Sequence, residues 1–305
     1  MTSAADVSAV LDDGPWRHRF VPANGSRFHV VETGPDNGWV VVLLHGFPQF
    51  WWSWRHVLPV LGEAGHRTIA MDLRGVGGSD KPPRGYDTPT LVRDVTGVVR
   101  GLGANRAVLV AAGWSSWIAW AAPVFVPPMI TGIAVVGGMH PLPAYRSTVH
   151  RRHLRGLARV AQLQVPRRPE YALQRGGLVR DLLDTWSGGS WPSEPEVRRY
   201  EEAMRIPAAA HCSLESFRWA ARSRLRPDGA RFRSRLDTPL RIPVRQLHGT
   251  LDGAFSPDAA RMSGVFAQGG YEFSELPSVG HFLADEAPQQ VSDALLDWLD
   301  RLPST

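Results

Sequence analysis

Short apolar runs recur along the chain, and the segments between them carry apolar residues at helical spacing. Five runs have the character of strands buried on both faces of a sheet, and a sixth strand follows them: residues 40–44, 68–71, 107–110, 133–136, 244–247 and 271–276. Between the second and third runs, one helical face collects Leu91, Val92, Val95, Val98, Val99 and Leu102. This alternation predicts an α/β fold with a doubly wound, mostly parallel sheet.

Two regions depart from the alternation. Residues 16–20 and 27–32 read as a hairpin around Asn24-Gly25, which is a strong turn signal. Residues 141–236 are rich in arginine and contain helical segments without clear parallel strands. We therefore predict a core formed by residues 1–140 and 237–305. The segment 141–236 is predicted to be a helical lid that covers the carboxyl edge of the sheet, where open α/β sheets bind ligands.

Residues able to do chemistry follow the predicted strands. His45-Gly46-Phe47-Pro48 comes after the run 40–44, and Gly113-Trp114-Ser115-Ser116 comes after the run 107–110. Asp252 follows the strand 244–247, and His281 follows the strand 271–276. A turn after a strand, then an acid, then a histidine is the chain order of α/β-hydrolases. His281 and Asp252 are therefore the predicted catalytic pair.

Several motifs resemble those of epoxide hydrolases within the α/β-hydrolase superfamily. They are His45-Gly46-Phe47-Pro48, the following Trp52-Ser53-Trp54-Arg55, and Asp72-Leu73-Arg74-Gly75 running into Gly77-Gly78-Ser79-Asp80-Lys81-Pro82. The resemblance covers nearly the whole chain outside the lid and reaches weakly into the lid through Phe217-Arg218-Trp219. It implies the α/β-hydrolase fold and hydrolytic chemistry on a small molecule.

The resemblance also implies a role for individual residues. In that family an aspartate at the turn attacks the epoxide carbon, and a histidine–acid pair then activates water to cleave the ester. His281 matches the water-activating base and Asp252 matches its acid partner. The backbone N–H groups of Phe47 and Trp114 match the donors that hold the oxyanion.

The sequence departs from the family at the nucleophile. The family pattern Val-Gly-His-Asp-Trp-Gly-Gly is replaced by Val110-Ala111-Ala112-Gly113-Trp114-Ser115-Ser116, which puts Gly113 at the nucleophile position. Glycine has no side chain to attack with, although it adopts the strained angles of such a turn without a Cβ penalty. Ser115 is the alternative nucleophile, but the bulky Trp117 stands where a tight turn favours a small residue.

The tyrosines that activate the epoxide in the family are not evident in the predicted lid. Phe217 stands where one is expected, and Gln162 is matched weakly to the other position. Three lid tyrosines remain as substitutes: Tyr145, Tyr171 and Tyr200. Tryptophans, Trp51 and Trp186 among them, are candidates for an aromatic pocket, and Asp72 is expected to anchor a loop or cap a helix.

Three functions are consistent with these residues. The first is an enzyme without a covalent intermediate, in which His281 acts as general base on water or on a substrate proton. The second is a binding protein that has kept the pocket and lost turnover, and the third is a serine hydrolase using Ser115. A mid-sized apolar organic molecule is the expected substrate or ligand, because the predicted pocket is aromatic and covered.

Composition narrows the other possibilities. Hydrophobic residues make up 43% and charged residues 21%, as in globular proteins. The net charge is +5, but the densest basic group, between His150 and Arg159, comes with no nucleic-acid-binding motif. Cys212 is the single cysteine, which fits a reducing compartment, and we expect a cytoplasmic protein. The start of the chain lacks the pattern of a signal peptide. Prolines interrupt the uncharged run 107–139, so we do not expect it to span a membrane. No residue spacing suggests a metal or organic cofactor.

Overall fold

A computed structural model describes residues 5–146, 161–175 and 177–303 of the chain. Its eight strands form one sheet in the order β1-β2-β4-β3-β5-β6-β7-β8. The strands are β1 Arg17–Ala23, β2 Ser26–Thr33, β3 Val40–Leu44, β4 Arg67–Met71, β5 Ala107–Ala112, β6 Ile130–Val136, β7 Val244–Gly249 and β8 Tyr271–Leu276. The pairs β1–β2 and β2–β4 are antiparallel, and all the other pairs are parallel. The predicted mostly parallel sheet is confirmed.

The predicted hairpin is confirmed as β1 and β2. Asn24 and Gly25 both have positive φ, 45° and 73°, which is the requirement of the tight turn that suits the twist of a two-residue hairpin. The uncharged run 107–139 forms β5, helix α3 (Ser116–Phe125) and β6 rather than one continuous helix. None of the helices in the described ranges has the length and apolar character needed to cross a bilayer.

Helices cover both faces of the sheet, which explains why its central strands are continuously apolar. Along β3, Val41 and Leu43 belong to one core cluster, whereas Val40, Val42 and Leu44 belong to another. The first cluster includes apolar residues of α1 (Val57–Glu63) and of the last helix, Pro288–Asp300. The second includes those of α2 (Thr88–Gly101) and α3. The sheet is therefore doubly wound, as predicted.

Helices separate β6 from β7 over the described residues 141–146, 161–175 and 177–236, a part of the chain called the insertion below. Its described helices are α4 Pro141–Arg146, α5 Arg168–Gln174, α6 Gly177–Trp186, α7 Glu194–Arg205, α8 Ala209–Arg222 and α9 Pro227–Leu236. No strand occurs in its described part, residues 141–146, 161–175 and 177–236. The basic group between His150 and Arg159 lies outside the described residues. The short helix α10 (Pro257–Arg261) lies between β7 and β8. After β8, the short helix α11 (Leu283–Glu286) follows His281 and precedes the last helix.

Candidate active site

The carboxyl ends of β3, β5, β7 and β8 bring the candidate residues together. Parallel strands end at the same edge of a sheet, and β3 and β5 are neighbours there, as are β7 and β8. A Cβ atom built on Gly113, at the end of β5, would lie 2.9 Å from Nε2 of His281 and 3.8 Å from Cα of Gly46. The loops after β3, β5 and β8 therefore meet at one point.

His281 and Asp252 form a buried hydrogen-bonded pair. Nδ1 of His281 lies 2.9 Å from Oδ2 of Asp252, and the two residues are 5% and 0% exposed. Oδ1 of Asp252 accepts hydrogen bonds from the backbone N–H groups of Ala254 and Phe255 at 2.7 and 2.9 Å. These bonds fix the carboxylate, so that Nδ1 of His281 carries the proton and Nε2 retains the lone pair that a general base needs.

The electrostatics of the pair favour an ionised Asp252. Burial by itself raises the pKa of this carboxyl. The net shift of the pKa is nevertheless downward. Burial is outweighed by the attraction to His281 and His248, by the hydrogen bond to His281 and by the backbone donor of Phe255. His248 lies beside the pair, with Nε2 3.3 Å from Oδ2 of Asp252. An acid that stays ionised can orient the imidazole and stabilise the imidazolium when it forms.

Glu286 holds the loop that carries His281, a role that sequence reasoning missed. Its carboxylate accepts hydrogen bonds from the backbone N–H groups of Gly280, Phe282 and Gly188 at 2.8, 2.9 and 2.8 Å. The backbone N–H of His281 itself donates to the carbonyl of Trp186 at 2.9 Å. The loop that carries His281 is thus tied to the helical insertion. A carboxylate five residues after His281 was the only signal in the sequence.

Gly113 occupies a sharp turn between β5 and α3. Its φ is +52°, in the left-handed region that favours glycine, and a short 3₁₀ turn over Gly113–Ser115 leads into the helix. The backbone N–H groups of such a first turn have no partner within the helix. Trp114, the predicted oxyanion donor, directly follows Gly113, and Nε2 of His281 lies against the Cβ position of Gly113.

Ser115 is buried just beyond this turn. Its hydroxyl lies 3.0 Å from the carbonyl of Leu44 and 2.9 Å from that of Ala112, and donates to them. These carbonyls belong to β3 and β5, so the hydroxyl fastens the turn to the sheet. Nε2 of His281 faces Gly113 instead, and this geometry disfavours Ser115 as the nucleophile.

The loop after β3 is ordered by His45. Leu73 donates its backbone N–H to Nε2 of His45 at 3.1 Å, so Nδ1 carries the proton and donates to the carbonyl of Gly46 at 2.8 Å. Burial lowers the pKa of His45, partly offset by Asp72, which agrees with a neutral ring. This arrangement fixes the backbone at Phe47, where the sequence predicts the other oxyanion donor.

Aromatic rings of the insertion and the core cover the turn. Phe217 stacks on Trp114 with ring centroids 4.2 Å apart, and its ring centroid lies 5.0 Å from that of Phe47. The same three side chains line a cavity that also reaches Ser115. The ring of Trp186 packs edge-on against the imidazole of His281, with ring centroids 5.4 Å apart. Five of the predicted site residues therefore lie close to the turn: Phe47, Trp114, Ser115, Trp186 and Phe217.

Trp51 and Gln162 do not belong to this group. Trp51 is fully buried in the core, where its indole N–H donates to the carbonyl of Val10 at 2.7 Å and its ring meets Trp16 at 5.2 Å. Its assignment to the pocket was wrong, because Trp51 packs in the core against the N-terminal segment. Gln162 is exposed at the surface of the insertion, so it does not take the place of a buried tyrosine.

Of the three candidate tyrosines, one is exposed and another is hydrogen-bonded to a buried carboxylate. Tyr171 is 55% exposed and lies under the guanidinium of Arg175. Tyr200 is fully buried, and its hydroxyl donates to Oδ2 of Asp285 at 2.6 Å. The side chain of Tyr145 lies outside the described part of the structure.

Asp285 forms the centre of a buried polar cluster between core and insertion. In addition to the hydrogen bond from Tyr200, the Asp285 carboxylate accepts a hydrogen bond from Nε2 of Gln49 at 2.7 Å and forms an ion pair with Arg55. Arg55 also pairs with Glu196 of α7 at 2.7 Å. Burial raises the pKa of Asp285 to about 6, although Arg55 opposes the shift. This cluster connects α7 to the helix that follows His281.

Within residues 5–146, 161–175 and 177–303, no group of three or more His, Cys, Asp or Glu residues is arranged to hold a metal ion. Cys212 is buried there with a free thiol. Asp72 anchors the loop after β4, which is one of its two predicted roles. Its carboxylate accepts hydrogen bonds from the backbone N–H groups of Trp51 and Gly78 at 2.8 and 2.9 Å.

Comparisons with known proteins identify the family of this chain. A model of the alpha/beta hydrolase family matches residues 41–294, and the chain therefore belongs to that family. It is 29% identical to epoxide hydrolase 3 of Xenopus tropicalis over 293 residues, which are 90% of this chain and 75% of that protein. It is also 29% identical to the soluble epoxide hydrolase of a Corynebacterium over 289 residues, 92% of this chain and 96% of that one.

Among solved structures, Cfl2 of Burkholderia cenocepacia superimposes with a TM-score of 0.83 and 25% identity, over 93% of this chain and 96% of that one. The predicted α/β-hydrolase fold is therefore confirmed. The relatives support an enzyme of the hydrolase fold that resembles epoxide hydrolases.

Proposed function

We propose that this protein is an enzyme in which His281, oriented by Asp252, acts as general base without a covalent enzyme intermediate. The observation that carries the proposal is the position of Gly113. Gly113 lies in the left-handed turn at the end of β5, opposite Nε2 of His281. By its place in the motif we assign this residue to the nucleophile position of epoxide hydrolases. In this proposal the protein keeps the base and its acid, while the residue that would form the ester has no side chain.

The retained groups still suit proton-transfer chemistry. Nε2 of His281 has its lone pair directed at the turn, and Asp252 is held ionised behind Nδ1. The backbone N–H groups of Phe47 and Trp114 are proposed to stabilise an oxyanion that develops there. His281 would remove a proton from water, or from the substrate in an elimination, cyclisation or isomerisation. The imidazolium formed would return that proton to the leaving or product oxygen.

The helical insertion is proposed to be a lid, and the partner is proposed to be a mid-sized apolar small molecule rather than a nucleic acid or a membrane. Phe217 brings an aromatic ring from the insertion onto Trp114, where a ring-opening tyrosine would be needed for an epoxide. A phenyl ring offers no proton, so epoxide opening would lack its acid. The proposed reaction is therefore different from that of the epoxide hydrolase relatives.

A non-catalytic binding function is the second candidate. The stack of Phe217 on Trp114 and the contact of Phe217 with Phe47 support it, because these rings cover the proposed oxyanion donors. A serine hydrolase is less well supported, since the hydroxyl of Ser115 donates to two strand carbonyls.

Turnover measurements on a set of apolar aryl epoxides, esters and lactones test the proposal. For any compound that the parent protein converts, His281→Ala should lower kcat by about 10²–10⁴-fold while binding changes little. His211→Ala is the matched control, since His211 is an exposed histidine of α8. Unchanged turnover in His281→Ala would rule out the proposed base. Binding without turnover of the whole set would favour the non-catalytic function.

A further inference from the structure

The turn after β3, residues 46–49, carries the predicted oxyanion donor Phe47. The backbone N–H of Gln49 closes this turn by donating to the carbonyl of Gly46 at 3.2 Å. The side chain of Gln49 is 4% exposed and packs against the same turn, where its Oε1 lies 3.0 Å from the point that a Cβ atom on Gly46 would occupy. The position of the Gln49 amide therefore affects the shape of the backbone around Phe47.

One carboxylate fixes the orientation of this amide. Nε2 of Gln49 donates to Oδ2 of Asp285 at 2.7 Å. An ionised carboxylate only accepts hydrogen bonds, so a reversed amide would set Oε1 against Oδ2, and the two oxygens would repel each other. Asp285 thus holds Nε2 toward itself and leaves Oε1 against Gly46. The amide can leave this orientation only by losing its bond to Asp285.

Asp285 belongs to the segment that also holds the candidate base. It lies in α11, which begins two residues after His281. Its neighbour Glu286 accepts the backbone N–H of Gly280, just before His281, at 2.8 Å. Two consecutive carboxylates of one short helix therefore hold the two parts of the candidate site. Glu286 holds the loop that carries His281, and Asp285 holds the turn that carries Phe47.

The remaining partners of the Asp285 carboxylate involve the helical insertion. The hydroxyl of Tyr200, on α7, donates to Oδ2 of Asp285 at 2.6 Å, which is the oxygen that also holds Gln49. Arg55 pairs with Oδ1 and, through its other terminal nitrogen, with Glu196 of α7 at 2.7 Å. Displacement of α7 therefore removes a donor from Oδ2 and loosens the cation on Oδ1. The position of the carboxylate depends on both the core and the insertion.

We propose that Asp285 is a positioning residue for the oxyanion turn, residues 46–49. Through Gln49 it holds the shape of that turn, and through Tyr200 it makes the shape depend on the docking of α7. An oxyanion is then stabilised only while the insertion covers the site. The catalytic consequence rests on the proposed function, whereas the coupling between α7 and the turn does not.

Kinetics at about pH 7.5 test the catalytic part with any compound that the parent protein converts, because Asp285, whose pKa is about 6, is then ionised. Gln49→Met removes the amide at nearly constant length, and Asp285→Ala removes the carboxylate. Each variant should lower kcat by about 10–10²-fold and change KM little, since a misplaced donor weakens binding of the transition state.

The double variant shows whether Asp285 acts through Gln49. If it does, Gln49→Met with Asp285→Ala should lose no more activity than the more affected single variant, because the same bond is removed in each. Two independent structural roles would multiply the losses instead. Multiplied losses would overturn the proposal, as would an unchanged kcat in the single variants.

A second measurement needs no turnover and removes one oxygen atom from α7. In Tyr200→Phe, proton–nitrogen correlation NMR of the full chain should show shifted backbone N–H signals for Gly46 and Phe47, because the carboxylate loses a donor on the oxygen that holds Gln49. Tyr171→Phe is the matched control, since Tyr171 is an exposed tyrosine of α5, and it should leave both signals unchanged.

Unchanged signals in Tyr200→Phe would overturn the coupling between α7 and the turn. Shifted signals in a protein that turns over no compound would contradict the proposed function and still support the coupling. The two measurements therefore separate a failure of this inference from a failure of the proposed reaction.

Discussion

Nε2 of His281 lies 2.9 Å from the point that a Cβ atom on Gly113 would occupy. Real Cβ contacts are longer than this, so the imidazole stands closer to the turn than a residue with a side chain would allow. The absence of a Cβ atom at residue 113 and the position of the His281 imidazole therefore depend on each other.

Gly113→Ala should lower the free energy of unfolding for two reasons. The positive φ costs roughly 1–2 kcal/mol for a residue with a Cβ atom, and the imidazole must shift in addition. Gly103→Ala is the control, because Gly103 has φ +81° and nothing within 4 Å of its Cβ position. Chemical denaturation should give the larger loss for Gly113→Ala, and the excess should vanish when His281→Ala is added. A stabilising Gly113→Ala would contradict the strained turn.

Gly113→Asp with Phe217→Tyr should restore the covalent step of the relatives. The new carboxylate would attack an epoxide carbon, the C–O bond would break, and the tyrosine would protonate the alkoxide. Incubation with styrene oxide should then raise the intact mass by one molecule of the epoxide. Hydrolysis of that adduct should follow if His281 still activates water after it is displaced by the new Cβ atom.

Gly113→Asn with Phe217→Tyr is the matched control for this experiment, since an amide of the same shape is a poor nucleophile. It should form no adduct. An equal adduct in both variants would place the reactive group elsewhere in the chain. A Gly113→Asp variant without Phe217→Tyr should react more slowly, because ring opening lacks its acid.

Ser115 should not react with a serine-directed fluorophosphonate. Its hydroxyl is buried and bonded to the carbonyls of Leu44 and Ala112. Ser115→Ala should instead reduce stability by about 1 kcal/mol, since these carbonyls lose a donor. Mass spectrometry after labelling checks the first point. Stoichiometric modification that disappears in Ser115→Ala would show that Ser115 is the nucleophile.

Asp285 should make stability decrease as the pH rises through the acidic range. Its pKa of about 6 in the folded protein exceeds the usual unfolded value of about 4, so the folded state binds more protons between these values. The contribution is fully present below about pH 4 and has been lost above about pH 6, a change of roughly 2–3 kcal/mol. Denaturant unfolding of Asp285→Asn should lack this component. An identical pH dependence in parent and variant would contradict the assignment.

The sequence by itself determined the strands and helices of the core and the candidate catalytic pair. Apolar runs that need burial on both faces predict strands of a covered parallel sheet, and β3, β5, β7 and β8 lie where they were expected. Because parallel strands end at one edge, residues that follow them converge without any knowledge of side-chain contacts. That is why Asp252, His281 and Gly113 could be placed from local pattern alone.

The tertiary structure decided which polar and aromatic side chains are used. Trp51 and Trp186 were both candidates for the pocket, yet Trp51 packs under the N-terminal segment around Val10, whereas Trp186 lies against His281. Gln49 and Asp285, 236 positions apart, meet in the buried cluster. Hydrogen bonds and ring contacts act only over a few ångströms, so their partners depend on how distant segments pack, and no local periodicity encodes that.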